Sequence, residues 1–487
     1  MSNVSGPVPR RAHRRAVEPS MEDTVDHATL AGAVAAKVAE AEAAEKAAAP
    51  GSGNTGNKPA AWPVRAAELI LALALAFAGW MGVSLLPSST PHPTPPLAVT
   101  QTGLYCPGAG TLAGTVTAFA KGDATWQPVT GAVMSVSGSL LQQSVTGESA
   151  LTGSGTMAAL AQFTRAGQAA AAACAGAMAS GYLLVGAPNA TLVLTNVDPT
   201  DAVLNVTLLG TTGQIDSKGL IDYKVPGHST SEIALGDYAS GMAPLAVQWQ
   251  NTIGRVVAWV RIDTPDAFEL VAPTRTGGEV VVPGIPSDGA VKLLIANPSA
   301  KRIVAKVDAL TTEGRVPVAG AEQVTVESGS LTSVDLAGAL QGETVSLVVT
   351  ADEPVAATAW VQVGSDFAAA PGIASAQIVE QDRFTVLAGP CRLVLSDTTA
   401  KAADITVTVT PASGAPDIQQ VSLNAGATTT VELGATGSVL VHGPTSVVAA
   451  LISQPGNNSA NGTSIIPLPA DTAWTGITPI WVEGQAI

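Results

Sequence analysis

Three cysteines and a few scattered histidines are the side chains of this 487-residue sequence with the most obvious reactive chemistry. Cys106 and Cys174 bracket one region. In an oxidising compartment they can bond, and closing so long a loop is worth about 4 kcal/mol on the chain-entropy estimate. Pairing of Cys174 with Cys391 is the rival, and the preferred bridge leaves Cys391 a buried, inert thiol. A hydrolytic zinc site needs closely spaced histidines, as in HExxH, yet His92, His228 and His442 each stand alone. No GxSxG elbow presents a serine nucleophile, and neither a P-loop nor a GxGxxG followed by a helix occurs. Asp198 and Asp201 in NVDPTD, and Asp216 in IDSKG, read as turn residues because no DxDxDG run surrounds them. A glycosidase needs two facing carboxylates, which sequence alone does not pair. No catalytic residue, metal site or cofactor is therefore expected.

The elements that would position any site read as strands. Runs such as TLVLTN, LNVTLLG, VSLVVT and ITVTVT alternate along the chain with Gly, Pro, Asn and Asp, a period-2 pattern typical of half-buried strands. Three segments open alike, with LVLTN, LLIAN and LVLSD ending at Asn196, Asn297 and Asp397. An Asx residue after a strand bonds its own backbone and starts a turn. Gly213, Gly314 and Gly414 follow at matching distances, and each unit then has a second turn glycine, Gly227, Gly329 or Gly426, where turns call for positive φ. The units close on VVAWVRI, AATAWVQV and VVAALIS, with Leu451 standing where the others have Trp259 and Trp360. Both tryptophans read as core anchors rather than ligand platforms.

Alternating strands need two facing sheets to bury one side each. The fold class expected is mainly β: one N-terminal transmembrane helix, then three tandem immunoglobulin-like sandwiches of about 100 residues each. A propeller is the structural alternative. Residues 99–181 form a separate β region, followed by units at 182–276, 277–380 and 381–487. Within Ala169–Ala187 the alanine run reads as a short helix or loop leading into the strand YLLV.

From Leu69 to Leu86 no charge interrupts LILALALAFAGWMGVSLL. That is roughly 27 Å of helix, just enough for a hydrocarbon core. Lys58 and Arg65 precede it, and no Lys or Arg follows until Lys121, so the positive-inside rule keeps the N-terminus cytoplasmic. The expected layout is a disordered tail over 1–63, a signal anchor over 64–86 and a Pro-rich spacer over 87–98. A cleaved signal peptide is the rival, weakened by the long segment ahead of the apolar stretch. Residues 69–86 would contact membrane lipid. Lys and Arg number 23 against 38 Asp and Glu, a net charge of −15, which argues against nucleic acid as a partner.

Leu104-Tyr105-Cys106-Pro107, Cys174, Gly181-Tyr182-Leu183-Leu184-Val185-Gly186, the LVLTN segment and Val281-Val282-Pro283-Gly284-Ile285-Pro286 carry a resemblance. On these the chain resembles an actinobacterial family of single-pass envelope proteins known only as a domain of unknown function. The resemblance spans roughly residues 69–487. It departs at Tyr182-Leu183, where relatives tend to have Trp-Phe, and at the additional Cys391. What it implies is a cell-envelope location beside a membrane glycosyltransferase, with no catalytic residue. The expected role is a non-enzymatic extracytoplasmic scaffold or accessory protein. The alternatives are a module that binds surface glycan or peptidoglycan, and a hydrolase whose site would need a cleft lined by carboxylates.

Overall fold

The computed structural model describes residues 102–468 apart from 129–131, 266, 341, 376–381, 435 and 455–461. The expected tail, the anchor over 69–86 and the spacer lie outside the described residues. Among the described residues no helix is long and apolar enough to cross a membrane. These residues are mainly strand, arranged in small two-sheet sandwiches, as the alternating apolar runs require.

The first sandwich holds β1 (Thr102–Cys106), β2 (Ala113–Ala120), β3 (Ala124–Pro128), β4 (Met134–Val136), β5 (Leu140–Thr146), β6 (Ser149–Gly153), β7 (Met157–Arg165) and β8 (Gln168–Ala173). Its sheets run β1-β6-β3-β4 and β5-β2-β7-β8. The second holds β9 (Ser180–Val185), β10 (Ala190–Asn196), β11 (Ala202–Gly210), β12 (Gly213–Ile215), β13 (Tyr223–Val225), β14 (Ser229–Ala234), β15 (Leu245–Ile253), β16 (Val257–Thr264) and β17 (Ala267–Val271). Its sheets run β9-β15-β11-β12 and β14-β10-β16-β17.

The third holds β18 (Gly277–Ile285), β19 (Ala290–Asn297), β20 (Ile303–Leu310), β21 (Arg315–Pro317), β22 (Val324–Val326), β23 (Ser330–Asp335), β24 (Val345–Val363), β25 (Asp366–Pro371) and β26 (Ile373–Ala374). Here the long β24 serves both sheets, pairing first with β18 and β20 and then with β19 and β25. The fourth holds β27 (Asp382–Leu387), β28 (Cys391–Asp397), β29 (Ala403–Pro411), β30 (Asp417–Leu423), β31 (Thr428–Leu433), β32 (Gly437–His442), β33 (Val447–Ser453) and β34 (Ser464–Leu468), in sheets β27-β32-β29-β30 and β31-β28-β33-β34.

One strand order thus recurs four times. It appears in 102–173, set apart in the sequence as a separate region, as well as in the three Asx-marked stretches. The second strand of the first sandwich, AGTVTAFA, ends on Ala120-Lys121 without an Asx, so nothing in its turn chemistry announces the kinship.

The sandwiches close into a ring. β8 packs against β17 and β34, and β25 packs against the same two strands, so one late strand from each of the four sandwiches meets the others at one centre. The alanine run expected as helix or loop is strand β8, with Ala169–Ala172 buried. Alanine lets neighbouring strands approach closely, and this tertiary contact outweighs its helix preference.

Two carboxyls are buried at that centre. Asp366 Oδ2 accepts hydrogen bonds from the N–H groups of Ala169 (3.2 Å) and Thr463 (2.7 Å). Glu269 accepts from Leu270 and Ala369 N–H, at 2.7 and 3.1 Å. Backbone from all four sandwiches is therefore gathered on two side chains. Burial pushes Glu269 well above its ordinary range, reinforced by the charge of Asp366. Burial likewise pushes Asp366 from 3.8 up to about 6. A carboxyl raised on folding gives stability that is complete below its unfolded pKa and lost as pH rises through the folded one. Asp366→Asn abolishes that titration. The stability of the variant minus that of the wild type should accordingly grow by about 1–2 kcal/mol between about pH 4 and pH 7.5 in urea melts. A constant difference across that range would show that the centre does not titrate.

Candidate functional site

The joints between sandwiches are built alike. A glycine near the first strand of one sandwich sits against the outward face of a late strand of the next. A Cβ on Gly186 would lie 2.6 Å from the Trp360 ring, and one on Gly284 would lie 2.8 Å from Ala450 Cβ. Those two joints are filled by apolar atoms. At the joint between the first and second sandwiches, the nearest group to a Cβ on Gly110 is the Arg261 guanidinium, 3.7 Å away.

Ladder register explains the difference. Thr191, Lys292 and Arg392 hold the same place ahead of Asn196, Asn297 and Asp397, and their partners are Arg261, Trp360 and Ile452. Arg261, not Trp259, is therefore the counterpart of Trp360, and Leu451 matches neither tryptophan. Both tryptophans are buried, but on the outer faces of their sheets. Trp360 packs into the core of the second sandwich and its Nε1–H donates to the Leu184 carbonyl at 3.1 Å.

With Arg261 in place of a large apolar ring, the first joint stays open as a cavity of about 660 Å³. Tyr105, Ser149 and Glu148 line one wall; His228, Thr230, Glu232, Trp259 and Arg261 line the other. Period-2 alternation puts Thr230 and Glu232 of β14 on the face shared with Trp259 and Arg261 of β16. The Arg261 guanidinium grips Glu232 with two bonds, at 2.9 and 2.8 Å. That hydrogen bonding holds Glu232 below its ordinary pKa and raises Arg261. Across the gap, the Thr230 hydroxyl donates to Glu148 Oε2 at 2.6 Å. Burial raises Glu148, opposed by that bond. Ser149 Oγ and Trp259 Nε1 are buried behind these walls, closed off from the cavity, and make no hydrogen bond.

Of the residues singled out in the sequence, Tyr105, Cys106, Asn196, His228 and Trp259 border the cleft and the rest fall elsewhere. Cys106 and Cys174 form a disulfide spanning 68 residues, with Cα atoms 4.3 Å apart, and Cys106 borders the cleft. Cys391 is buried in β28, and burial pushes its thiol up to about 12. Asn196 also borders the cleft, but its amide is spent on the carbonyls of Thr200 (2.8 Å) and Val225 (3.0 Å). Asn297 repeats this with Lys301 and Val326, while Asp397 accepts from Thr399 N–H. Gly213, Gly314 and Gly414 take φ of 126°, 138° and 117° in hairpins of the second, third and fourth sandwiches.

Gly227 does not take a positive φ. His228 does, at 52°, in the place that Gly329 fills in the next sandwich, while a Cβ on Gly227 would meet the Pro199 carbonyl oxygen at 2.2 Å. Glu148, Ser149, Glu232 and Arg261 were not found by sequence reasoning. One signal existed, a charged residue inside the otherwise apolar strand VVAWVRI. Among the described residues no group of three or more His, Cys, Asp or Glu could hold a metal ion.

The model of a family of unknown function, DUF5719, matches residues 129–433. No curated protein matches the chain. Among solved structures, a tetra-tandem repeat in the extending region of a large adhesion protein is 12% identical, over 76% of this chain and 95% of that one. Its TM-score is 0.10, which supports no argument.

Proposed function

The chain belongs to DUF5719, a family of unknown function, and from that premise we propose a non-enzymatic, membrane-anchored scaffold or accessory protein of the bacterial cell envelope. The four sandwiches are copies of one immunoglobulin-like unit. Residues 69–86 anchor them, with the N-terminus cytoplasmic and the ring outside. An envelope glycosyltransferase is the partner that the family resemblance favours.

The observation that carries this reading is ring closure. Cores continuous across the joints, with Leu160 and Ala171 of the first sandwich packed into the fourth, give a single stiff body suited to holding partners in fixed relation. The cleft does pair two carboxylates, but Arg261 engages both oxygens of Glu232. An ion-paired carboxylate held below its usual pKa is a poor general base, so the pair suits recognition better than hydrolysis.

Protease added to intact cells should cut residues after 87, and the full chain extracted from membranes should carry a stoichiometric membrane enzyme. A C-terminal part protected like a cytoplasmic control would overturn the topology. Recovery of the chain alone would overturn the scaffold role.

A further inference from the structure

We propose that the cleft between the first and second sandwiches binds a neutral, hydroxyl-rich ligand, a segment of uncharged saccharide. This goes beyond the scaffold reading, because it needs the cleft and not the anchor or a protein partner.

Four observations support it. The joint is open where the next two are filled, because Arg261 stands where they carry Trp360 and Ile452; the joint between the fourth and first sandwiches holds a smaller cavity of about 400 Å³. At about 660 Å³ the cavity lies within the range of small-ligand sites, about 300–1,000 Å³. Arg261, Glu232, Thr230 and Glu148 line it with charged and hydroxyl groups held in place by one another's hydrogen bonds.

The fourth observation is charge. The molecule carries −15, and within the cleft Arg261 is already matched by Glu232, so an anion finds no excess of positive charge there. Sugar hydroxyls, which both donate and accept, match carboxylate, guanidinium and threonine hydroxyl together, and the half-buried Tyr105 adds apolar surface. A peptide would ask for an open strand edge. Here Thr230, Glu232, Trp259 and Arg261 line the second wall from the face of a sheet whose edge strand is β14.

The test uses the full chain in a detergent without a sugar headgroup. Short neutral gluco-, galacto- and manno-oligosaccharides, uronic-acid oligomers and a mixture of neutral peptides are titrated by saturation-transfer NMR and calorimetry. At least one neutral saccharide series should bind. Arg261→Gln and, separately, Thr230→Val should each weaken it roughly tenfold while thermal melting shows the variants folded. Glu353→Gln, remote from the cleft, should leave binding unchanged. No binding by any neutral series, a preference for uronic acids or peptides, or affinity undiminished in both folded cleft variants would each overturn the proposal.

Discussion

Trp360→Ala should destabilise the protein by about 3–5 kcal/mol, read as a lowered urea midpoint. Trp360 is 5% exposed and belongs to the third sandwich, yet it packs among core residues of the second and bonds the Leu184 carbonyl. Truncation removes its buried area, leaves that carbonyl without its partner and opens a void that Gly186 is too small to fill. The informative comparison is Trp259→Ala. Trp259 is equally hidden, but it borders an existing cavity and donates no hydrogen bond, so less packing is lost. Its cost should be distinctly smaller. Equal costs would mean that the two joints are not filled differently, and the account of the cleft would fail with them.

Loss of the disulfide should be of similar size. Removing a bridge that closes 68 residues costs roughly 4 kcal/mol on the chain-entropy estimate. Cys106 ends β1 directly opposite Ser149 in the ladder, so the bridge also steadies one wall of the cleft. A Cys106→Ser, Cys174→Ser double variant should melt earlier and be cut first within 107–173 under limited proteolysis. It should also lose saccharide binding before the second sandwich opens. Coincident melting of oxidised, reduced and double-variant protein would refute this.

What the sequence made legible was local. Strands such as β11, buried at every second residue over most of its length, follow directly from the period-2 runs. The Asx positions stand out because one side chain must bond a nearby backbone. The buried amides of Asn196 and Asn297 instead reach carbonyls far along the chain as well, Val225 and Val326.

What stayed hidden depends on partners remote in sequence. Nothing in AAAAA says that β8 lies among strands from other sandwiches, so helix preference was the only guide. The kinship of the first sandwich is carried by strand order and not by residues. The cleft was invisible for the same reason: Glu148 and Glu232 meet only once two separate sandwiches are docked. The register of Trp259 and Trp360 depends on which residue faces which across a ladder, and motif alignment slipped it by two positions.

The contact of the fourth sandwich with the first has a consequence for how the molecule comes into being. β27 and β34 lie against β7 and β8, so the first module to emerge during synthesis waits for the last before its sticky flank is covered. Until then Ala158 and Leu160, which pack into the fourth sandwich's core, face solvent on an unclasped bracelet. A chain interrupted before residue 382 would carry that flank permanently, bare and prone to clump with its siblings.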